Sequence, residues 1–311
     1  MNIFNKYLER IMSKKRRHPH RKKKHPVLKV ILILVVLILV AIGAVAYSLY
    51  KNVDKTFSNA YMTFPKTTQV DLKKAQPFTT LIIETGTNNS KNIAYAAVLA
   101  STNKATQQTT FMNFPVFATL PNTKTINDIY SSEGTTGLIQ SMTDLMQVSV
   151  NKVIQIDIDK IGSLIEATGG VSMQNPRAFN AAGYEFKQGT INLRTADQVQ
   201  AYLTQLDDTD LDAAITRIQN VSMALYGNVQ NIVRTKKIQN VNYYRDILSA
   251  FTNMSKTNVN FNEAKTIGLN YNKALMHTSK LNLHTTDEAG REVISQAELD
   301  NVKTLFEKTL K

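Results

Sequence analysis

The stretch "VNKVIQIDIDKIGSLIEATGGV", Val150–Val171, decides the fold. Its first half alternates apolar and polar residues as a strand does, and its second half sets Ile161, Leu164 and Ile165 on one helical face. Gly169-Gly170 then ends the helix. A glycine pair also suits a phosphate-binding loop, but such a loop lies between a strand and the start of a helix. Here the pair comes after the helix, so it reads as a C-cap.

The same grammar extends in both directions. Upstream, "TTLIIE" (Thr79–Glu84), "IAYAAVLAS" (Ile93–Ser101) and "TTFMNFPVF" (Thr109–Phe117) read as strands, each a short apolar or β-branched run bounded by Asn, Thr, Gly or Pro. Their near-continuous apolarity predicts strands covered on both faces. Ile126–Met146 is a helix. Downstream, Asn175–Gly189 reads as a loop, and Thr195 with Gln198 forms a capping box for a helix with Val199, Tyr202 and Leu203 on its apolar face. Ile215 to Ile232 and Val241–Met254 are amphipathic helices, and Ser295 with Glu298 opens a last one through Phe306. Beyond Asn258 the pattern weakens, though "KLNLHT" suits an edge strand. Strands alternating with helices make an α/β domain.

The amino end has another character. The net charge of +13 belongs to a tail: residues 1–29 hold 11 Lys/Arg and one acid. A tail of this kind sits on an anionic lipid surface, and no nucleic-acid partner is expected. The 21 residues Val30–Tyr50 carry no charge, enough to span a bilayer as a helix. The basic cluster keeps the amino terminus cytoplasmic and places the chain beyond Tyr50 outside. Ala44-Val45-Ala46 fits a signal-peptidase site, but the apolar run exceeds the roughly 7–15 residues of a signal peptide and is read as a retained anchor. Residues 51–76 read as a stalk and 77–311 as one extracytoplasmic domain. With no cysteine, disulfides and thiolate metal sites are excluded.

After the Val199–Leu203 helix, "YLTQLDDTDLDAA" holds Asp207, Asp208, Asp210 and Asp212. Asp208, Asp210 and Asp212 have the spacing that opens an EF-hand loop, but Ala213 stands where its glycine is needed and Gln219 where a Glu would close the shell. Two further readings remain: a carboxylate pair for glycoside hydrolysis, and a solvated loop that caps the next helix. In the second, Arg217 forms a salt bridge to Asp210 or Asp212.

A basic stub, one apolar segment and an external α/β domain, in this order, resemble the LytR-CpsA-Psr family of cell-envelope proteins, most clearly over residues 77–229. Val150–Val171 resembles the family's strand-helix-GGV segment. "TINDIYSSEGTTGLIQSMTDLMQVSV" resembles its K-I-N-x-x-Y-x-x-G element, with Asn127, Tyr130 and Gly134 in register, and "TADQVQAYLTQLDDTD" resembles the segment that ends before an acidic D-x-D. The resemblance implies a single three-layer α/β/α domain with a central mixed sheet, preceded by a transmembrane helix. It also implies transfer of anionic glycopolymers from a polyprenyl-pyrophosphate carrier to peptidoglycan, with the prenyl chain in an apolar tunnel. On these positions the catalytic and magnesium-binding residues would be Asp208 and Asp210, and the lipid-phosphate ligands Arg217, Asn127 and Gln219. The departures are as informative. The family's turn aspartate after the first strand has no counterpart in "IETGTNNS". Its R-S-D falls on Ile93-Ala94-Tyr95, its R-D on Val116-Phe117, and its R-x-R on Thr204 and Leu206; of R-x-x-R-Q, Arg217 and Gln219 remain. A diphosphate entering such a cleft would lack counter-charge. The expectation is an envelope protein with impaired or lost catalysis. An active transferase with relocated groups, a non-catalytic lipid- or glycan-binding scaffold, and a transcriptional attenuator acting through the basic tail are the alternatives.

Overall fold

The computed structural model describes residues 57–311 except 89–90, 205–216, 219, 226, 229–230 and 232–240. The apolar segment 30–50 therefore lies outside the described residues. Among the described residues no helix is long and apolar enough to cross a membrane.

Strands β1 (Phe78–Asn88), β2 (Lys91–Asn103) and β3 (Gln108–Phe114) form an antiparallel meander. Helix α1 (Ile126–Met146) carries the chain over to β4 (Lys152–Asp157), which pairs parallel to β1 with Leu81 opposite Val153. A 3-10 turn (Ile158–Lys160) leads into α2 (Ile161–Ala167), and β5 (Val171–Asn175) pairs with β8 (Gly189–Leu193). Helix α3 (Ala196–Thr204) comes next, then helical residues between 217 and 231, then α4 (Val241–Met254). Short β9 (Ser255–Thr257) closes one sheet edge against β4. Helices α5 (Phe261–Asn270) and α6 (Asn272–Met276) lead to β10 (Thr278–Leu281), parallel to β3 at the other edge. The β11–β12 hairpin (Thr286–Glu288, Arg291–Val293) and α7 (Gln296–Thr309) end the chain. The central sheet is mixed, in the order β10-β3-β2-β1-β4-β9.

Both faces of this sheet are covered, as the continuous apolar strands demand. Leu81, Ile83, Leu99, Met112 and Phe114 pack with α1 and α7 through residues such as Leu138, Met142, Val302 and Phe306. Ile82, Val98, Phe111, Ile154 and Ile156 form the other face, under α2, α3, α4 and α5. The cap at Gly169-Gly170 is as expected: φ is 89° and 93°, and the Gly170 N–H reaches back to the Ile165 carbonyl at 2.8 Å. Thr195 caps α3 through the Gln198 N–H, while the Gln198 side chain accepts from Arg194 N rather than from Thr195 itself.

Two expectations change. Asn175–Gly189 is not a plain loop: it holds the hairpin β6–β7 (Phe179–Ala181, Tyr184–Phe186). The two-residue turn Ala182-Gly183, with φ of 46° and 81°, has the positive angles that such tight hairpins need, and an A-G pair is a weak sequence signal for it. The segment read as a stalk also contributes to the core from Phe57 onward, with Phe57, Ala60, Phe64 and Leu72 buried.

Candidate functional site

The carboxyl ends of the parallel pair β1 and β4 and the start of β2 converge at one end of the sheet, the edge where open α/β sheets receive ligands. Three local devices shape it. Asp157 ends β4 and caps the 3-10 turn: Oδ1 accepts from Asp159 N at 3.2 Å, and Oδ2 pairs with Lys160 Nζ at 2.7 Å. Asp159 ties the turn to β1, its Oδ2 accepting from Thr87 N and Oγ1, both at 2.8 Å. This approach needs Gly86, because a Cβ there would stand 2.7 Å from Asp159 Oδ1.

The second device is a bulge. The β1–β2 register passes from Glu84 opposite Ala96 to Thr85 opposite Ala94, leaving Tyr95 as the extra residue, turned into the same face as Ala96. Burial pushes the Tyr95 phenol up to about 12, and the Asp159 charge adds to the shift. The third device breaks α1 at Gly134, whose φ of 65° and ψ of −160° lie outside the helical region. Thr135 Oγ1 donates to Gln155 Oε1 at 2.7 Å, and Gln155 Nε2 donates to Thr85 Oγ1 at 3.3 Å and lies 3.5 Å from the Tyr130 hydroxyl. Burial raises the Tyr130 phenol, the Thr85 hydrogen bond opposes this, and Asp157 and Asp159 add to it. This end of the sheet therefore presents neutral phenols, an amide and two engaged carboxylates.

Behind it lies a small apolar pocket under α2 and α4. Ile156, Ile161, Leu164, Leu225, Phe251 and Met254 line it, with two polar intrusions, Glu84 and Ser222. Glu84 is 2% exposed, and its Oε1 has no hydrogen-bond partner; neither has Ser222 Oγ. Burial alone raises the Glu84 carboxyl to about 8, so at pH 7 it is a neutral acid.

Of the residues expected at a site, Asp208, Asp210 and Gln219 lie outside the described residues. Arg217 is 9% exposed, and its guanidinium carbon stands 4.9 Å from the centre of the Phe179 ring. Phe179, Phe186 and Tyr202 form an aromatic cluster around that position. Burial raises the Tyr202 phenol and the Arg217 charge draws it back. Asn127 sits on the opposite face of the sheet at the start of α1. Its Oδ1 accepts from Ala94 N at 3.0 Å, clamping α1 to β2. Glu84, Tyr95, Gln155 and Ser222 carry no sequence signal of their own, since each sits inside an ordinary strand or helix pattern.

The carboxylates here are poorly placed for magnesium, which takes one or two carboxylates alongside substrate oxygens. Asp157 is committed to Lys160 and the turn, Asp159 to Thr87, and Glu84 is neutral and enclosed. Among the described residues no three His, Cys, Asp or Glu side chains gather around a common point.

A profile of the LytR_cpsA_psr family matches residues 46–308. The chain belongs to the LytR-CpsA-Psr family. It is 23% identical over 287 residues, 88% of this chain and 92% of the relative, to the polyisoprenyl-teichoic acid–peptidoglycan teichoic acid transferase TagU of Enterococcus faecalis. A protein from Streptococcus agalactiae shares the fold with a TM-score of 0.54 and 19% identity, covering 77% of this chain and 89% of that one. Bacillus subtilis TagV matches with a TM-score of 0.51 and 16% identity, covering 76% and 98%. The mixed α/β architecture is thus that of LytR-CpsA-Psr structures. At the positions that the sequence resemblance sets against the family's R-S-D, Ile93 is half-buried, Ala94 is fully buried and Tyr95 is 8% exposed; at the one set against the start of its R-D, Val116 is buried in the core.

Proposed function

We propose that this chain is a membrane-anchored, extracytoplasmic protein of envelope biogenesis that binds a polyprenyl-linked, teichoic-acid-type glycopolymer and has lost most or all phosphotransferase activity. The relative TagU of Enterococcus faecalis bears the name of a transferase of polyisoprenyl-linked teichoic acid to peptidoglycan, and segment 30–50 supplies the anchor in this reading. One observation carries the loss of catalysis: the sheet end holds the apolar Ile93 and Val116 at the positions that the resemblance sets against the family's arginines, and close by stand the carboxylates of Asp157 and Asp159. Phosphoryl transfer rests on positioning and on neutralising charge over the transferred group. Losing one buried charged partner costs about 3–5 kcal/mol, and each ~1.4 kcal/mol of transition-state stabilisation is about tenfold in rate. Several such losses put turnover beyond detection.

The test incubates the full chain with a polyprenyl-pyrophosphate-linked glycopolymer, with and without magnesium. Native mass spectrometry reads binding, and release of the lipid phosphate reads turnover. Bound lipid without turnover is expected. Magnesium-dependent turnover that disappears in the Asp208→Ala, Asp210→Ala double variant would show a working site rebuilt around those aspartates and overturn the proposal.

A further inference from the structure

The two polar groups in the apolar pocket come from separate elements, Glu84 from β1 and Ser222 from the helical residues that come after Arg217. Each leaves a polar atom without a partner, Glu84 Oε1 and Ser222 Oγ. Buried polar atoms are satisfied in the great majority of proteins, and an orphan of this kind costs the full desolvation of the group. Two orphans in one cavity have a common solution.

We infer that this cavity is a binding site for a single uncharged hydroxyl group, held between Glu84 and Ser222. The cavity measures about 20 Å³, which admits one water-sized group and no phosphate. The described lining offers no cation, so an anionic group would have no counter-charge there. A neutral carboxyl offers one donor together with acceptor oxygens, and a serine hydroxyl offers the same pair of roles. One O–H placed between them can donate to one and accept from the other. The remaining walls are apolar, from Ile156, Ile158 and Ile161 to Phe251 and Met254; they favour an apolar body behind that hydroxyl, and Met254 is the side chain best suited to yield room. The hydroxyl has two sources, a water molecule or the end of an apolar alcohol. In either case it ties β1 to the helical segment that carries Arg217, five residues before Ser222. The inference stands on the cavity and does not depend on the transferase reading.

Two measurements on the full chain test it. A crystal structure that resolves ordered water should show density within hydrogen-bond distance of both Glu84 Oε1 and Ser222 Oγ. In parallel, 1-butanol is titrated into the wild-type chain and the Ser222→Ala, Glu84→Gln and Glu84→Leu variants, tracked by NMR shifts of the Met254 methyl. Glu84→Gln keeps a donor and an acceptor in nearly the same shape and guards against misfolding in Glu84→Leu. If butanol binds, Ser222→Ala should weaken it by roughly fivefold, the equivalent of one neutral hydrogen bond. Glu84→Gln should retain binding and Glu84→Leu should abolish it. Butanol binding with this pattern identifies an alcohol site; density with no butanol response identifies water as the occupant. Neither density nor a response, or a butanol response equal in all four proteins, overturns the inference.

Discussion

Replacing Glu84 by Gln should remove a pH dependence of stability that the wild-type chain carries. Glu84 has an ordinary value of 4.5 and a folded value of about 8, raised by burial alone. Between those limits the folded chain holds one more proton than the unfolded chain, so stability falls as pH rises. The contribution is fully present below pH 4.5, erodes by roughly 1.4 kcal/mol per pH unit, and is lost once pH passes about 8. Over the whole interval this approaches about 5 kcal/mol, an upper figure because water entering the cavity softens the penalty. The described lining holds no other ionisable side chain that would compensate. The assay is urea unfolding of wild type and Glu84→Gln at half-unit steps from pH 4.5 to 9. All other groups titrate alike in the two proteins, so the difference in unfolding free energy isolates this carboxyl. It should rise in favour of Gln up to about pH 8 and then level off. Parallel curves across the range would mean that Glu84 ionises freely in the folded chain, and the description of its surroundings would fail.

Three other perturbations test separate parts of the structure. Gly170→Ala should destabilise by about 1–3 kcal/mol, because φ is 93° and a Cβ would meet the Leu193 carbonyl at 2.8 Å; Gly169→Ala, strained but unobstructed, should cost less in thermal unfolding. Lys152 is buried and pairs with Glu263 at 2.6 Å, so Lys152→Met should cost up to about 3 kcal/mol, and adding Glu263→Gln should recover part of it in a double-mutant cycle. Arg217→Met keeps the apolar stem but removes the cation over Phe179; a loss of about 1–2 kcal/mol in denaturant unfolding is expected, and near-zero change would show the ring contact to be idle.

Local pattern and capping chemistry are what a sequence displays directly. Strand β4, α2 and their glycine cap are legible because the alternation, the Ile161-Leu164-Ile165 face and the Gly169-Gly170 stop all act within a few residues. The bounds Ile126–Met146 of α1 are legible for the same reason, but its break is not: Gly134 faces open space, and its conformation serves Tyr130 and Thr135 on either side. Tyr95 becomes a site residue through a register step between two strands, which neither strand encodes alone. Glu84 ends a run of β-branched and apolar residues and reads as the polar end of a strand. Helical residues distant in the sequence, from 161–164, 222–225 and 251–254, enclose it together with Ile156 and Ile158. Arg217 stands out in the sequence, but its ring partner lies in a hairpin whose residues read as loop.

The attachment of the amino-terminal segment has a mechanical meaning. Met62 N donates to the Thr257 carbonyl at 2.9 Å and Thr257 N donates to the Ala60 carbonyl at 2.8 Å, a parallel bridge onto the strand that borders β4. A pull delivered through the amino end reaches these two bonds ahead of the sheet, and it loads them in shear together rather than peeling them one at a time. Phe57 and Phe261, with ring centres 6.1 Å apart, add a second grip close by. Tension applied at the amino end is therefore spread into the edge of the sheet at β9 and α5.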